Sequence, residues 1–343
     1  MAKKKKAKMP VDIGAVMDTL ADLGQARDLK AFINVVIDVT ASDTLIDAVL
    51  QAFDAPESSS EVRMVLMADA APELPLPADL CVIVGAESLL LGDVASDARR
   101  MGTPAVVVIE QGVTFFFEED PEQLDEQQTE EECTAIELPH KGIPIGDIVA
   151  ADFELARPLD ELAEWIIGHA PAKRLSMALD FPFMRMALAS QVIEGTSLQC
   201  GAIGLLVFIP GADMPVITLN QARMVLQIAS VYGFDMDLGR VKEILAVVAS
   251  AFGMRAVARE LSGAVPFLGW GIKSGVAYFG TQAIGRAALD YFEGDGVFSS
   301  LSEALSAAAD QVMETITEAS TELVDIAAGA YADASAEPAA ETE

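Results

Sequence analysis

The chain has little of the material from which most site chemistry is built. Its 343 residues include only 3 cysteines, 2 histidines, 2 tryptophans and 4 tyrosines. Cys81, Cys133 and Cys200 are too few and too scattered for a disulfide framework, and with His140 and His169 they give no ligand spacing for a structural zinc site. Basic residues are also scarce. Lys and Arg total 22 against 53 Asp and Glu, a formal net charge of −31. Phosphate neutralisation needs a basic face, so nucleic-acid binding is excluded as a main role. Trp165 and Trp270 stand alone and make no basic aromatic platform. The lysine-rich opening is not followed by an apolar segment, so no secretory signal is read there. The expected location is the cytoplasmic side of a membrane, or the cytoplasm itself.

Apolar residues, by contrast, are plentiful. They make up 52% of the chain, and the mean hydropathy is +0.36. Acidic chains that stay disordered are apolar-poor, so this one must bury a sizeable core or sit against something apolar. Its length suits two or three domains.

Charge is distributed unevenly. Lys3, Lys4, Lys5, Lys6 and Lys8 form a basic arm in residues 1–10, and no basic residue follows Arg286. Such an arm could hold an anionic leaflet at about 1 kcal/mol per lysine; it could equally be a disordered, solubilising terminus, or pair with the acidic tail. The stretch 118–132 is acidic and Gln-rich, without the spaced Asp/Asn ligands and fixed Gly of a calcium loop. It reads as a solvated loop, and no metal site is expected.

Residues 11–170 carry the punctuation of an α/β domain. Val11, Val16, Leu20 and Leu23 have helical spacing and precede a turn at Gly24. The β-branched run 32–39 suits a strand buried on both faces. Thr40-Ala41-Ser42-Asp43 then caps a helix over 44–53. Further strands are expected at 62–67, 80–84, 105–109 and 134–138, with helices at 94–101 and 159–168. This alternation predicts a mostly parallel sheet with flanking helices.

The order of these elements resembles a P-loop GTPase of the Era-like kind. In that family the turn after the first strand needs glycines, whose amides approach phosphate, then a Lys and a Ser/Thr. This chain offers Thr40, Ala41, Ser42, Asp43 and Thr44, with neither glycine nor lysine, and Asp38 and Asp43 would repel phosphate. Ile109-Glu110-Gln111-Gly112 stands where the resemblance would place a guanine-reading Asn-Lys-x-Asp. The expectation is a GTPase-like shell with a degenerate phosphate turn and no cofactor; an unrelated small α/β domain is the other reading.

From Leu175 the texture changes. Segment 195–212 carries no charge and contains Gly201, Gly204 and the breaker Pro210-Gly211, and a second uncharged arm runs over 214–222. Two apolar arms around Pro210-Gly211-Ala212-Asp213-Met214-Pro215 suggest a hairpin, since a bilayer crossing needs about 20 apolar helical residues. A helix is expected over 241–252, the segment 257–278 is richer in glycine, and Gly263-Ala264-Val265-Pro266 reads as a turn between two helices. Gly269, Gly271, Gly275 and Gly280 allow close helix approach, in a membrane or in a soluble bundle.

Several segments here carry a second resemblance. They are 209–215 with Arg223-Met224-Val225-Leu226, Arg259-Glu260-Leu261, Val265-Pro266-Phe267-Leu268-Gly269-Trp270, and 277–286. Together they resemble domain of unknown function 697, a YcjF-like bacterial family described as membrane proteins, over about 175–293. Members of that family often follow an Era-like domain. The resemblance implies an all-α, glycine-rich domain at 175–294 and supplies no catalytic residues. Residues 295–343 hold an amphipathic acidic helix (299–330) and a low-complexity tail. The helix carries Leu301, Leu305, Val312, Ile316, Leu323 and Ile326 on one stripe, fit for docking on its own domain or for self-association.

No nucleophile–base pair emerges. Cys81 falls in a buried strand, Cys133 follows glutamates that blunt its reactivity, His140 is in a loop and His169 ends a helix. The function expected is therefore a non-enzymatic, membrane-associated interaction or scaffold protein using a GTPase-like domain without a functional P-loop. Its partner would be a membrane surface or membrane protein, with a protein partner or self-association as further options and no nucleic acid. An atypical nucleotide-binding GTPase and a soluble oligomeric scaffold are the alternatives.

Overall fold

A computed structural model describes residues 13–56, 58–86, 90–110, 114–115, 135–136, 143–206, 214–234, 269–294 and 303. The chain divides into two compact units, Asp22–Leu188 and Met1–Ala21 with Ala189–Glu343.

In the unit Asp22–Leu188, a five-stranded sheet is built from β1 (Phe32–Asp38), β2 (Glu61–Met67), β3 (Leu80–Val84), β4 (Ala105–Glu110) and β7 (Ile148–Ala151). Their order is β2-β1-β3-β4-β7 and every neighbouring pair is parallel. The expected α/β class with a parallel sheet is the one formed. β1 lies inside the sheet with Ile33, Val35, Val36 and Ile37 all buried, as a strand covered on both faces must be. The helix α2 (Asp43–Ala52) links β1 to β2, and α3 (Leu90–Arg100) links β3 to β4. These two steps cross the sheet in opposite directions, so right-handed crossovers place the two helices on opposite faces. Leu91, Val94, Ala95 and Ala98 recur at helical spacing and pack with Val36, Ile83, Val107 and Ile109. β2 forms one edge among the described residues, with Met64 and Leu66 exposed there.

Several elements differ from expectation. α1 (Ile13–Arg27) runs straight through Gly24, where a turn was expected. A lone glycine costs a helix about 1 kcal/mol, and the Gln25-Ala26-Arg27 that follow are good helix formers. The expected strand at 134–138 is the short β6 (Ala135–Ile136), paired in parallel with β5 (Thr114–Phe115) in a separate small sheet. The fifth strand of the main sheet is instead β7, whose four residues are too few to show a period. α3 starts four residues earlier than its sequence pattern, and β1 stops one residue sooner, leaving Val39 exposed in the turn. After β7 come α4 (Asp160–His169), α5 (Arg174–Asp180) and a short 3-10 turn at Pro182–Met184.

The other unit is helical in its described part. It contains most of α6 (Arg185–Leu206), then α7 (Met214–Val231) and α8 (Gly269–Glu293). Cys200, Ile217 and Ala277 bring the three helices into one cluster. Of the two arms expected around the turn 210–215, residues 195–206 lie in α6 and 214–222 in α7, which meet through that cluster; Met214 and Pro215, expected in the turn, open α7. α6 and α8 run antiparallel and close. A Cβ on Gly201 would lie 3.3 Å from Tyr278 Cβ, and one on Gly285 would lie 2.7 Å from Ile193 Cγ1. α7 is buried around most of its circumference, at Thr218, Gln221, Met224, Val225, Leu226 and Ile228 among others. Gln221 Nε2 donates to Thr281 Oγ1 at 2.8 Å, and Thr281 Oγ1 donates to Ala277 O at 2.7 Å. Arg223 Nη2 donates to Ala15 O at 3.3 Å, tying α1 to the same unit.

No helix among the described residues is long and apolar enough to cross a membrane. The basic arm, the acidic loop 118–132 with Cys133, His140, residues 210–213 of the first expected turn, the turn at 263–266, the helix at 241–252, and the terminal helix and tail apart from Glu303 lie outside the described residues.

Candidate functional site

Open parallel sheets bind ligands at the carboxyl ends of their strands, where the strand order reverses direction. Here the reversal lies between β1 and β3, because the chain leaves β1 toward β2 and leaves β3 toward β4. The turn from β1 into α2 occupies that place and holds the degenerate phosphate turn singled out in the sequence.

Three backbone amides leading into and through this turn are already engaged. Val39 N donates to Met67 O at 3.1 Å, Thr40 N to Asp38 Oδ1 at 2.8 Å, and Ala41 N to Asp38 O at 3.1 Å. A phosphate cradle requires such amides to point outward at the ligand. In this turn they point at the protein's own oxygens. The side chains are committed too. Ser42 caps α2 by accepting from Leu45 N at 3.1 Å, and its hydroxyl donates to Glu110 Oε2 at 2.5 Å. Thr40 Oγ1 accepts from Ala86 N at 3.3 Å. Ala41 is buried, while Asp43 and Thr44 are exposed on the first turn of α2.

The structure thus pairs Thr40 with Asp38 and, separately, Ser42 with Glu110, but leaves Asp43 and Thr44 facing solvent. Glu110 joins Ser42 across 68 residues of sequence because β4 ends near the start of α2. No local pattern could have revealed that pairing. Asp38 is 0% exposed, and among the described residues its Oδ2 has no hydrogen-bond partner. Gly85, the residue following β3, lies beside it: a Cβ there would approach Asp38 Cβ to 3.2 Å and Leu91 Cδ2 to 2.5 Å.

At the amino-terminal end of the sheet the charges are paired. Phe32 N donates to Asp79 Oδ2 at 2.7 Å, and Lys173 Nζ donates to both Asp79 oxygens at 2.7 Å. Lys30 and Arg63 both bond Glu61, and all three cations lie 5.0–5.7 Å from the centre of the Phe32 ring. Arg63 foremost, then Lys30, holds the Glu61 carboxyl below its ordinary range. This network closes the sheet's lower edge and leaves its charges satisfied.

The remaining chemistry-bearing residues are structural in their contacts. Cys81 is buried in β3, where desolvation pushes its thiol up to about 12, so it carries no thiolate near neutral pH. Cys200 is buried among α6, α7 and α8. His169 ends α4, stacks on Trp165 at 3.9 Å and places its Nδ1 2.8 Å from Trp165 O. Trp165 Nε1 and Arg99 Nη2 share the carboxylate of Asp147, at 3.0 and 2.8 Å. Among the described residues no group of three His, Cys, Asp or Glu is arranged to hold a metal ion.

No family model, curated protein or solved structure matches this chain.

Proposed function

We propose that the chain is a non-enzymatic interaction or scaffold protein, membrane-associated on the cytoplasmic side, whose α/β unit is a binding platform without a functional P-loop. One observation carries the first half of this reading. The amides of Val39, Thr40 and Ala41, which a nucleotide would need, are bonded within the protein, and carboxylates stand where phosphates would sit. Turning the three amides outward would break three hydrogen bonds, each worth about 0.5–1.5 kcal/mol, and would bring anion toward anion. The membrane half rests on the uncharged, glycine-bearing segments between 175 and 293 and on their resemblance to domain of unknown function 697. The lysine arm supplies a complementary charge for an anionic leaflet.

A soluble oligomeric scaffold is the second reading. It draws support from α7, whose apolar surface is spent on neighbouring helices. Co-flotation with anionic liposomes and retention in a carbonate-washed membrane fraction separate the two. The first reading expects the chain in the floating fraction; a wholly soluble chain of one defined mass, insensitive to detergent, overturns it. Titration with fluorescent GTP and magnesium is expected to show no saturable binding. Micromolar binding abolished by changes at residues 42–44 would establish an atypical GTPase instead.

A further inference from the structure

We infer that β2 is a self-association edge, on which a second copy of this chain adds its own β2 antiparallel and carries the sheet across both copies. The argument begins with what the edge exposes. Glu61 N donates to Ala31 O at 2.7 Å and Val39 N to Met67 O at 3.1 Å, at the two ends of the β1–β2 ladder. In a parallel pair only alternate residues of a strand bond its neighbour, so Glu61, Arg63, Val65 and Met67 face β1. The N–H and C=O groups of Val62, Met64 and Leu66 point away from it, and among the described residues no strand receives them. Edge strands are ordinarily blunted by lysine, proline or a bulge. β2 contains neither lysine nor proline, and its register with β1 is unbroken from Glu61 to Met67. Its outer side chains are apolar as well. Val65 and Met67 pack with the cluster under α3, so Val62, Met64 and Leu66 lie on the opposite face, where Leu66 is 71% and Met64 44% exposed.

The strand's own sequence selects the occupant. A chain of net charge −31 would call for a basic partner wherever its acids gather. β2 is not such a place: its single acid, Glu61, already holds Arg63 Nε at 2.8 Å and Lys30 Nζ at 3.0 Å. The edge offers apolar side chains and backbone groups, and it fits a strand of the same kind. β2 itself is one. Antiparallel pairing about a twofold axis at Met64 sets Met64 opposite Met64 of the second copy and Val62 opposite its Leu66. Every outward N–H and C=O of the three residues then finds a partner. The same register joins the Val62, Met64 and Leu66 rows of both copies into one apolar strip, and it sets Arg63 opposite Val65. Pairing Val62 with Met64 would instead set Arg63 opposite Arg63, a like-charge pair, and leave Leu66 off the ladder. Pairing Met64 with Leu66 would leave Val62 off it. The inference goes beyond the function proposed above and holds for a membrane-bound or a soluble chain alike.

The test is sedimentation velocity of the full chain in about 0.15 M NaCl, which screens the repulsion between two acidic copies. The expected mass is twice the 36.2 kDa of one chain. The double variant Met64→Lys, Leu66→Lys places like charges opposite each other at the axis and should weaken the dimer by about 10-fold or more. A monomeric parent chain, or a dimer undiminished in the double variant, overturns the proposal. Cross-linking tests the register and does not depend on the lysine variant folding. It uses a Cys133→Ser background, in which the remaining Cys81 and Cys200 are buried. Directly opposed, hydrogen-bonded residues have Cα atoms about 5.5 Å apart, within the reach of a disulfide. Oxidation by copper phenanthroline should therefore couple Met64→Cys into a disulfide-linked dimer. Leu66→Cys faces position 62 of the second copy and should couple at a small fraction of that rate. Equal rates for the two, or no coupling of Met64→Cys, overturn the pairing.

Discussion

Replacing Gly285 with alanine tests the close approach of α6 and α8. The added Cβ would lie 2.7 Å from Ile193 Cγ1, 2.8 Å from Cγ2 and 3.2 Å from Cβ. Real Cβ contacts do not approach so near, so one helix must move or Ile193 must turn. Ile193 has little freedom to turn. It is 4% exposed, and a β-branched side chain within a helix strongly prefers one rotamer. Overpacking of this kind costs about 1–3 kcal/mol. Against it stands the better helix propensity of alanine, worth about 0.8–1 kcal/mol. The net expectation for Gly285→Ala is destabilisation of up to ~2 kcal/mol. Gly195→Ala on α6 provides the contrast, because nothing lies within 4 Å of its added Cβ. It should gain the propensity alone, about 0.5–1 kcal/mol. Urea unfolding followed by circular dichroism gives both values, and the steric part is their difference, about 1–3 kcal/mol. A double-mutant cycle with Ile193→Ala should recover that amount as a favourable coupling, since it removes both clashing γ-carbons. Gly285→Ala as stable as Gly195→Ala, with coupling below about 0.5 kcal/mol, would refute the packing described here.

Two further outcomes follow from the lower edge of the sheet. Lys173→Met removes the one cation paired with Asp79 among the described residues, at a side chain 27% exposed, and should lower the urea-derived stability by about 1–3 kcal/mol; a variant within experimental error of the parent would sink the assignment. Glu61 titrates lower in the folded chain than its ordinary value of 4.5, chiefly through Arg63 and then Lys30. Its stabilising contribution is therefore complete above the unfolded pKa and is lost as pH falls from about 4.5 through the depressed folded value. Glu61→Gln should flatten that part of the stability–pH curve, and a curve parallel to the parent's below pH 4.5 would refute the pairing.

Much of the α/β unit is legible locally. The run 32–37 is apolar at consecutive positions, and such a strand can be satisfied only by cover on both faces, as β1 is. Ser42 reads as a cap because its side chain and the amide of Leu45 are three residues apart, and that bond forms. β7 is not legible, for the opposite reason. Its residues are short and unremarkable, and they become a strand only because the edge of β4 is there to receive Val107–Glu110 bonding. The glycines tell a similar story. Gly275 belongs to the run of glycines that stands out in composition, yet a Cβ there would meet nothing nearer than Phe279 Cδ2 at 4.0 Å, whereas Gly201 and Gly285 are sites of close approach. Which glycine faces a neighbour depends on the rotation of the helix, and composition does not record that rotation.

The amino-acid sequence by itself determined the class of the first unit and the absence of a glycine- and lysine-bearing phosphate turn, because both follow from residues adjacent in the chain. Tertiary structure alone decided that Glu110 closes on Ser42 and that the amides of Val39, Thr40 and Ala41 face inward. It also left Asp38 Oδ2 buried without a partner. Those facts depend on where the ends of β1, β3 and β4 fall in register. That register is set by packing across the whole sheet, and no segment carries it alone.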